Sequence, residues 1–260
     1  MFLAELFCLI FAPMYYRRKI LLALLQHFEN GLEKLRLQKL LFLYFHGQAN
    51  PLYHFVPYKY GCFSFQANAD LGAMAKTGLI QEDSKMWSTQ DKFNYCHQLK
   101  ELDRKRLKDI LLLFGEKTAD ELIDLTYRKY PYFAINSTIA EIRLTAPEYA
   151  KVLAAIPVAV ESRLFTIGYE GVSLDKYLNT LMEHGVKLLC DVRRNPFSMK
   201  YGFSKNQLKN ACEGIGIAYL HLPDVGINSE MRQNLETQQD YDRRFRRYLE
   251  ECLPATLVTL

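Results

Sequence analysis

The sequence predicts an α/β C-terminal domain with a parallel sheet built of β-α-β units, preceded by a mainly helical α+β N-terminal domain. Two observations carry this. In residues 15–28 and 35–45, apolar side chains recur at three- and four-residue spacings, the period of helices with one buried face. From residue 164 onward the rhythm changes: short apolar runs alternate with helical stretches, as in parallel strands covered on both faces.

Taken in order, Asn30-Gly31 turns the chain between the first two helices. The stretch YHFVPYKYGCFSFQ after Asn50-Pro51 is aromatic and punctuated by Pro and Gly, and reads as a core hairpin. A second reading has Tyr58, Lys59, Tyr60, Phe63 and Phe65 contacting nucleic acid by stacking and charge. Residues 67–76 are helical with Gly78 as the stop, and Met86-Trp87-Ser88 is a short strand. Residues 99–114 and 119–129 are helical in period, 131–137 close the region, and 139–159 form a connecting segment. The domains are therefore placed at 14–137 and 161–260, with 138–160 between them. In the second domain, apolar runs at 164–168, 186–192 and 217–222 are the expected strands, and 174–183, 205–213 and 241–252 the expected helices. The chain stops in ATLVTL (255–260), which reads as a fourth strand and implies a longer gene product or a lost tail.

The composition is that of an ordinary globular protein: 260 residues, hydrophobic types at 49% and charged types at 24% exclude disorder and small disulfide scaffolds. The net charge of +4 is too small to argue for a polyanion partner by itself. Residues 161–260 carry 13 basic and 13 acidic residues, so the excess lies at the front and leans mildly towards an acidic partner. The six cysteines never reach C-x-x-C spacing and read as reduced thiols, hence a cytoplasmic protein. Residues 1–12 are apolar but carry Glu5, lack a basic start and are far short of the roughly 20 residues of a membrane span. The helix that begins directly after Met14 makes Met14 the expected start, with a membrane-surface helix as the alternative. No membrane partner is expected, and the exposed final strand offers an edge for a homodimer.

In an open α/β sheet, ligands sit beyond the carboxyl ends of the strands. The expected strand ends carry Gly168-Tyr169-Glu170-Gly171, then Asp191-Val192-Arg193-Arg194-Asn195-Pro196-Phe197-Ser198, then His221-Leu222-Pro223-Asp224. If the three converge, they suit an anionic ligand: Arg193 or Arg194 as a bidentate clamp, Asp191 and His221 for proton transfer, with Tyr169, Glu170, Ser198 and Lys205 lining the site. Each has a plainer reading. Asp191 can serve its own turn or pair with Arg193, His221 can be a packed surface histidine, and Ser204 reads as the cap of the helix that follows. The Arg243-Arg244-Phe245-Arg246-Arg247 run reads as a solvated helix face rather than a nucleic-acid patch. Gly168 and Gly171 make no dinucleotide fingerprint, no metal-ligand spacing appears, and Cys190 lies inside a strand run, so neither a cofactor nor a metal is expected.

These residues resemble the bacterial and archaeal domain-of-unknown-function family 488. TIGYEG, followed by GVKLLCDVRRNPFSMKYGFSKNQLKNACEGIGIAYLHLPDVG, places Gly168, Tyr169, Asp191, Arg193, Pro196, Ser198, Phe203, Lys205, Tyr219, His221 and Gly226 on the family's pattern. Met199 stands where the family often has Arg, and the chain ends before the family's later Cys-containing strand and Cys-His-Arg segment. The resemblance implies a fold and a set of site positions, without an established reaction. The front half, LRLQKLLFLY with YHFVPYKYGCFSFQANADLGAMAKTGLI, is similar to an N-terminal extension on one branch of the family and, more loosely, to Panacea-type antitoxin domains. That similarity implies an interaction or nucleic-acid-associated module in a phage-defence or toxin–antitoxin setting. Two functions follow as expectations: a hydrolase acting on a phosphoester or N-glycosidic bond of a nucleotide or nucleic acid, or a non-catalytic regulatory or DNA-binding sensor.

Overall fold

The computed structural model describes residues 14–158, 163–227 and 236–252; the apolar segment 1–12 and the expected final strand at 255–260 lie outside them. The described chain mixes helix and strand. Its order is α1 (Tyr16–Gln26), β1 (Leu32–Glu33), α2 (Lys34–Phe45), β2 (Val56–Tyr58), β3 (Gly61–Phe63), α3 (Phe65–Lys76), β4 (Gln81–Glu82), β5 (Met86–Ser88), α4 (Glu101–Phe114), α5 (Ala119–Lys129), α6 (Ala140–Arg143) and α7 (Ala146–Ala154). There follow α8 (Leu174–Glu183), β6 (Leu188–Asp191), α9 (Lys205–Gly214), β7 (Ala218–His221) and α10 (Gln238–Arg247), which runs into a π-helical turn, Tyr248–Cys252. No described helix is long and apolar enough to cross a membrane. The chain divides into two compact units, one comprising residues up to Pro157 with Gly168–Thr180, the other Val158–Ile167 and everything from Leu181 on.

The core of the first unit is built by α1 and α2, whose stripes from Ile20 to Leu25 and from Leu37 to Phe45 are buried. Gly31 turns the chain between them at φ +85, a conformation that favours glycine. The aromatic stretch forms the hairpin β2–β3, with Val56 opposite Phe63 and Tyr58 opposite Gly61. Tyr58, Phe63 and Phe65 pack ring on ring, with centroids 5.0–5.3 Å apart. A Cβ on Gly61 would lie 2.6 Å from Tyr127 Cε1, so the hairpin turn admits no side chain. The ammonium of Lys39, fully buried beneath it, donates to the carbonyls of Tyr60 and Cys62. Burial pulls that amine's pKa down. A small sheet of order β1-β5-β4 flanks this core. The sequence shows β5 but not its two-residue partners, which are too short to carry an alternation. The capping box of α5 was legible as T-x-x-E: the Thr118 hydroxyl accepts from the Glu121 amide and the Glu121 carboxylate from the Thr118 amide.

Asp175, in the first turn of α8, is fully buried and caps another helix. Its carboxylate accepts from the amides of Phe65 (2.7 Å) and Gln66 (3.2 Å), the opening donors of α3. Burial pushes this carboxyl up to about 7, against the pull of those amides. Its folded pKa thus lies above the value near 3.9 of an unfolded chain. The contribution to stability is complete below about 4 and is lost as pH rises through about 7. The melting temperature of the protein is expected to fall over that interval, and Asp175→Asn to flatten the fall. An unchanged slope in Asp175→Asn would show that other groups set it.

In the second unit, β6 and β7 pair in parallel, Leu188 with Ala218 through Asp191 with His221, joined through α9 as a β-α-β unit. The expected strand at 164–168 is not formed among the described residues; Leu164 is 96% exposed and the run has no ladder partner. An apolar run becomes a strand only where its backbone finds a neighbour. The expectation that both faces are covered also needs correction. Leu189 and Asp191 are buried, while Leu188, Cys190 and Leu220 on the alternate positions are exposed among the described residues.

Candidate functional site

The two strand ends place Asp191 and His221 side by side, as register partners at the carboxyl edge of the sheet. Asp191 is buried and its carboxylate is heavily used. It accepts from the Arg193 amide (3.1 Å), Arg193 Nε (2.8 Å), Arg193 Nη2 (2.5 Å) and the Tyr219 hydroxyl (2.6 Å). Burial by itself would raise its pKa, but the hydrogen bonds from Arg193 and Tyr219 outweigh it and hold the carboxyl below its ordinary value. Conversely, burial and the bond to Asp191 push the Tyr219 phenol up. The third edge of the Arg193 guanidinium, Nη1, donates to the Phe203 carbonyl at 2.8 Å, so one side chain ties the end of β6 to the approach of α9.

His221 Nε2 lies 2.8 Å from the Arg193 carbonyl oxygen. A carbonyl only accepts, so Nε2 carries a proton, and in the neutral ring Nδ1 is the acceptor. The half-buried ring is thus oriented with one defined nitrogen available for proton transfer.

The loop between β6 and α9 is held by its own short polar side chains. Asn195 Oδ1 accepts from the Phe197 amide and Ser198 Oγ from the Lys200 amide. Ser204 occupies the N-cap position of α9 but, contrary to the expectation of a side-chain cap, its hydroxyl serves the loop. It donates to the Ser198 carbonyl (3.0 Å) and accepts from the Ser198 amide (3.2 Å). The first amide of α9, Lys205 N, goes to the Pro196 carbonyl instead. Two cations stand at this fixed loop, Arg194 within it and Lys205 at the first residue of α9. Arg194 and Lys205 are exposed and form no hydrogen bond or ion pair through their side chains among the described residues.

Gly226 closes the site from below. A Cβ there would stand 2.3 Å from the Val192 carbonyl oxygen and 2.7 Å from the Arg194 nitrogen, both backbone atoms that cannot swing away. Gly226→Ala is expected to displace the loop and cost about 1–3 kcal/mol, in the range of overpacked sites. Increased hydrogen exchange at the amides of residues 192–204 would report it; wild-type protection would show that the loop absorbs the methyl.

Of the residues singled out from the sequence, Asp191, Arg193 and His221 are linked by these bonds, Ser198 is tied to Ser204 and Lys200, Arg194 lies in the loop and Lys205 opens α9. Tyr169 and Glu170 fall in the first unit. Tyr219 also belongs to the site: its place two residues before His221 puts it on the strand face that carries it. The roles of the Phe203 carbonyl and of Gly226 as backbone spacer carry no such signal. No group of three or more His, Cys, Asp and Glu among the described residues is arranged to hold a metal ion.

Fold and site together define a mixed α/β chain whose parallel strand pair ends in a carboxylate–guanidinium frame beneath exposed cations. Residues 173–258 match the family described as "Domain of unknown function DUF488". No curated protein and no solved structure matches the chain.

Proposed function

We propose that the loop at the ends of β6 and β7 binds a phosphate-bearing ligand, a nucleotide or a segment of nucleic acid. The observation that carries this reading is the pair of unpartnered cations, Arg194 in a loop that polar bonds hold in place and Lys205 at the start of α9. The α9 N-terminus adds to it. No side chain caps this helix, and no described group accepts from the Asn206 and Gln207 amides, so its positive end faces outward beside Lys205.

In this reading Asp191 and Arg193 are positioning residues. A carboxylate that already accepts four hydrogen bonds and is held ionised is a poor proton acceptor, whereas His221 presents Nδ1 as a base. The DUF488 part, taken from residue 161, is then the ligand-binding domain. Residues 14–137, joined to it through 138–160, form a helical interaction domain. The reaction class that fits is hydrolysis at a phosphoester or N-glycosidic bond with His221 moving the proton. The saturation of Asp191 favours a second reading, a ligand sensor without turnover.

Thermal shift against nucleoside mono-, di- and triphosphates tests the site. A ligand at a hundred times its Kd stabilises by about 2.7 kcal/mol, and the Arg194→Ala/Lys205→Ala double variant is expected to lose that shift. An equal shift in the double variant would place the ligand elsewhere. Given binding, product formation that disappears in His221→Gln supports the hydrolase; binding without turnover supports the sensor.

A further inference from the structure

The helix α10 lies outside the strand-end site and has a surface of its own. Its sequence QQDYDRRFRR carries four arginines against two aspartates. Tyr241 (53% exposed), Phe245 (56%) and Leu249 (43%) recur every four residues and form one exposed stripe. Helical spacing puts Arg244 on one flank of the stripe and Arg246 on the other. Arg243 attracts Asp240 without a direct ion pair, and the acids are bonded elsewhere. Asp240 closes the capping box with Thr237, Asp242 accepts from Gln238, and Arg243, Arg244 and Arg246 have no hydrogen bond or ion pair among the described residues.

Two contacts connect this helix with the strand-end loop. The Tyr248 hydroxyl, on the residue directly after α10, donates to the Val225 carbonyl at 2.5 Å. The neighbouring Gly226 is packed against the backbone of Val192 and Arg194.

We propose that α10 is a docking surface for single-stranded nucleic acid, continuing the track of positive charge begun by Arg194 and Lys205. The inference rests on the strand-end reading and narrows its ligand from a free nucleotide to an oligonucleotide. Charge complementarity and the alternation of aromatic rings with guanidinium groups argue for this occupant. Phosphates need cations, and bases stack on Tyr and Phe faces without regard to sequence. A membrane surface would ask for a broad apolar face, but here the exposed apolar residues are a single file between arginines.

The test uses the full chain and fluorescein-labelled 20-nucleotide single-stranded RNA and DNA, read by anisotropy across a salt series. Arg244→Ala/Arg246→Ala and Tyr241→Ala/Phe245→Ala remove side chains that are exposed or, for Arg244, half-buried, and an unchanged melting temperature verifies folding. Each double variant is expected to weaken binding at least tenfold. The arginine pair is also expected to flatten the slope of log K against log salt by about one to two, as lost phosphate contacts do. The same affinity in both variants and the wild type would overturn the proposal. So would binding of vesicles of three parts phosphatidylcholine to one part phosphatidylglycerol with no oligonucleotide binding. A mononucleotide thermal shift that survives in the α10 variants, with no oligonucleotide binding by the wild type, would reject α10 while leaving the strand-end site standing. Loss of the mononucleotide shift as well as oligonucleotide binding in Arg194→Ala/Lys205→Ala is the pattern expected if both hold.

Discussion

Asp191→Ala is expected to destabilise the second unit by about 3–5 kcal/mol, the range for removing one partner of a buried ion pair. The Asp191 and Arg193 side chains are only 4% and 18% exposed, and the Arg193 guanidinium would lose the carboxylate that receives its Nε and Nη2. The Tyr219 hydroxyl would lose its acceptor at the same time. Because Arg193 is what anchors the loop to β6, stabilisation by nucleotides should vanish together with the fold of residues 192–204. Asp191→Asn preserves the shape and one acceptor oxygen, so a smaller loss is expected. The pH dependence has a definite sign. The folded pKa of Asp191 is depressed, so its contribution is present above the unfolded value near 3.9 and is lost as pH falls through the folded value. The acid-induced loosening should thus be shallower in Asp191→Ala. Hydrogen exchange at β6 and β7 is the suitable readout, because the single tryptophan, Trp87, belongs to the first unit. Wild-type protection in Asp191→Ala would remove the frame from the account.

Asp70→Ala is expected to cost the first unit a similar amount, about 3–5 kcal/mol. Its carboxylate, 2% exposed, receives Arg17 Nε (2.5 Å) and Nη2 (3.3 Å), Arg18 Nε (2.9 Å) and the Tyr53 hydroxyl (2.8 Å), and so joins α1 to α3. Burial raises its pKa, but the bonds from Arg17, Arg18 and Tyr53 dominate and lower it. Without it, two guanidinium groups that are roughly three-quarters covered confront each other unpaired, and a buried phenol loses its acceptor. Urea denaturation followed by Trp87 fluorescence should show a lower midpoint; an unchanged midpoint would mean that the helices are held by their apolar stripes alone.

How much of this was legible follows a physical divide. Elements that announce themselves by local chemistry were read closely: α5 and α8 at their observed bounds, β5 at Met86–Ser88, and the turns at Gly31 and Gly78. Those that depend on distant partners were not. Leu164–Gly168 has the composition of a strand but no described ladder, and β1 and β4 exist only because β5 lies between them. The strand-end site divides in the same way. Asp191, Arg193 and His221 stand at strand ends in the sequence, but only the three-dimensional structure shows that Arg193 is turned inward onto Asp191 and Phe203, leaving Arg194 as the outward cation. Ser204 illustrates the limit of a local rule: its position is that of a cap, and its hydroxyl answers to Ser198 six residues away.

The most direct test of the central claim is an amide chemical-shift titration of the full chain with a nucleoside monophosphate. Shifts are expected to concentrate at the amides of Arg194, Lys205 to Gln207 and His221, and to be lost in Arg194→Ala/Lys205→Ala. Shifts centred on the first unit, or none at the strand ends at saturating ligand, would contradict it.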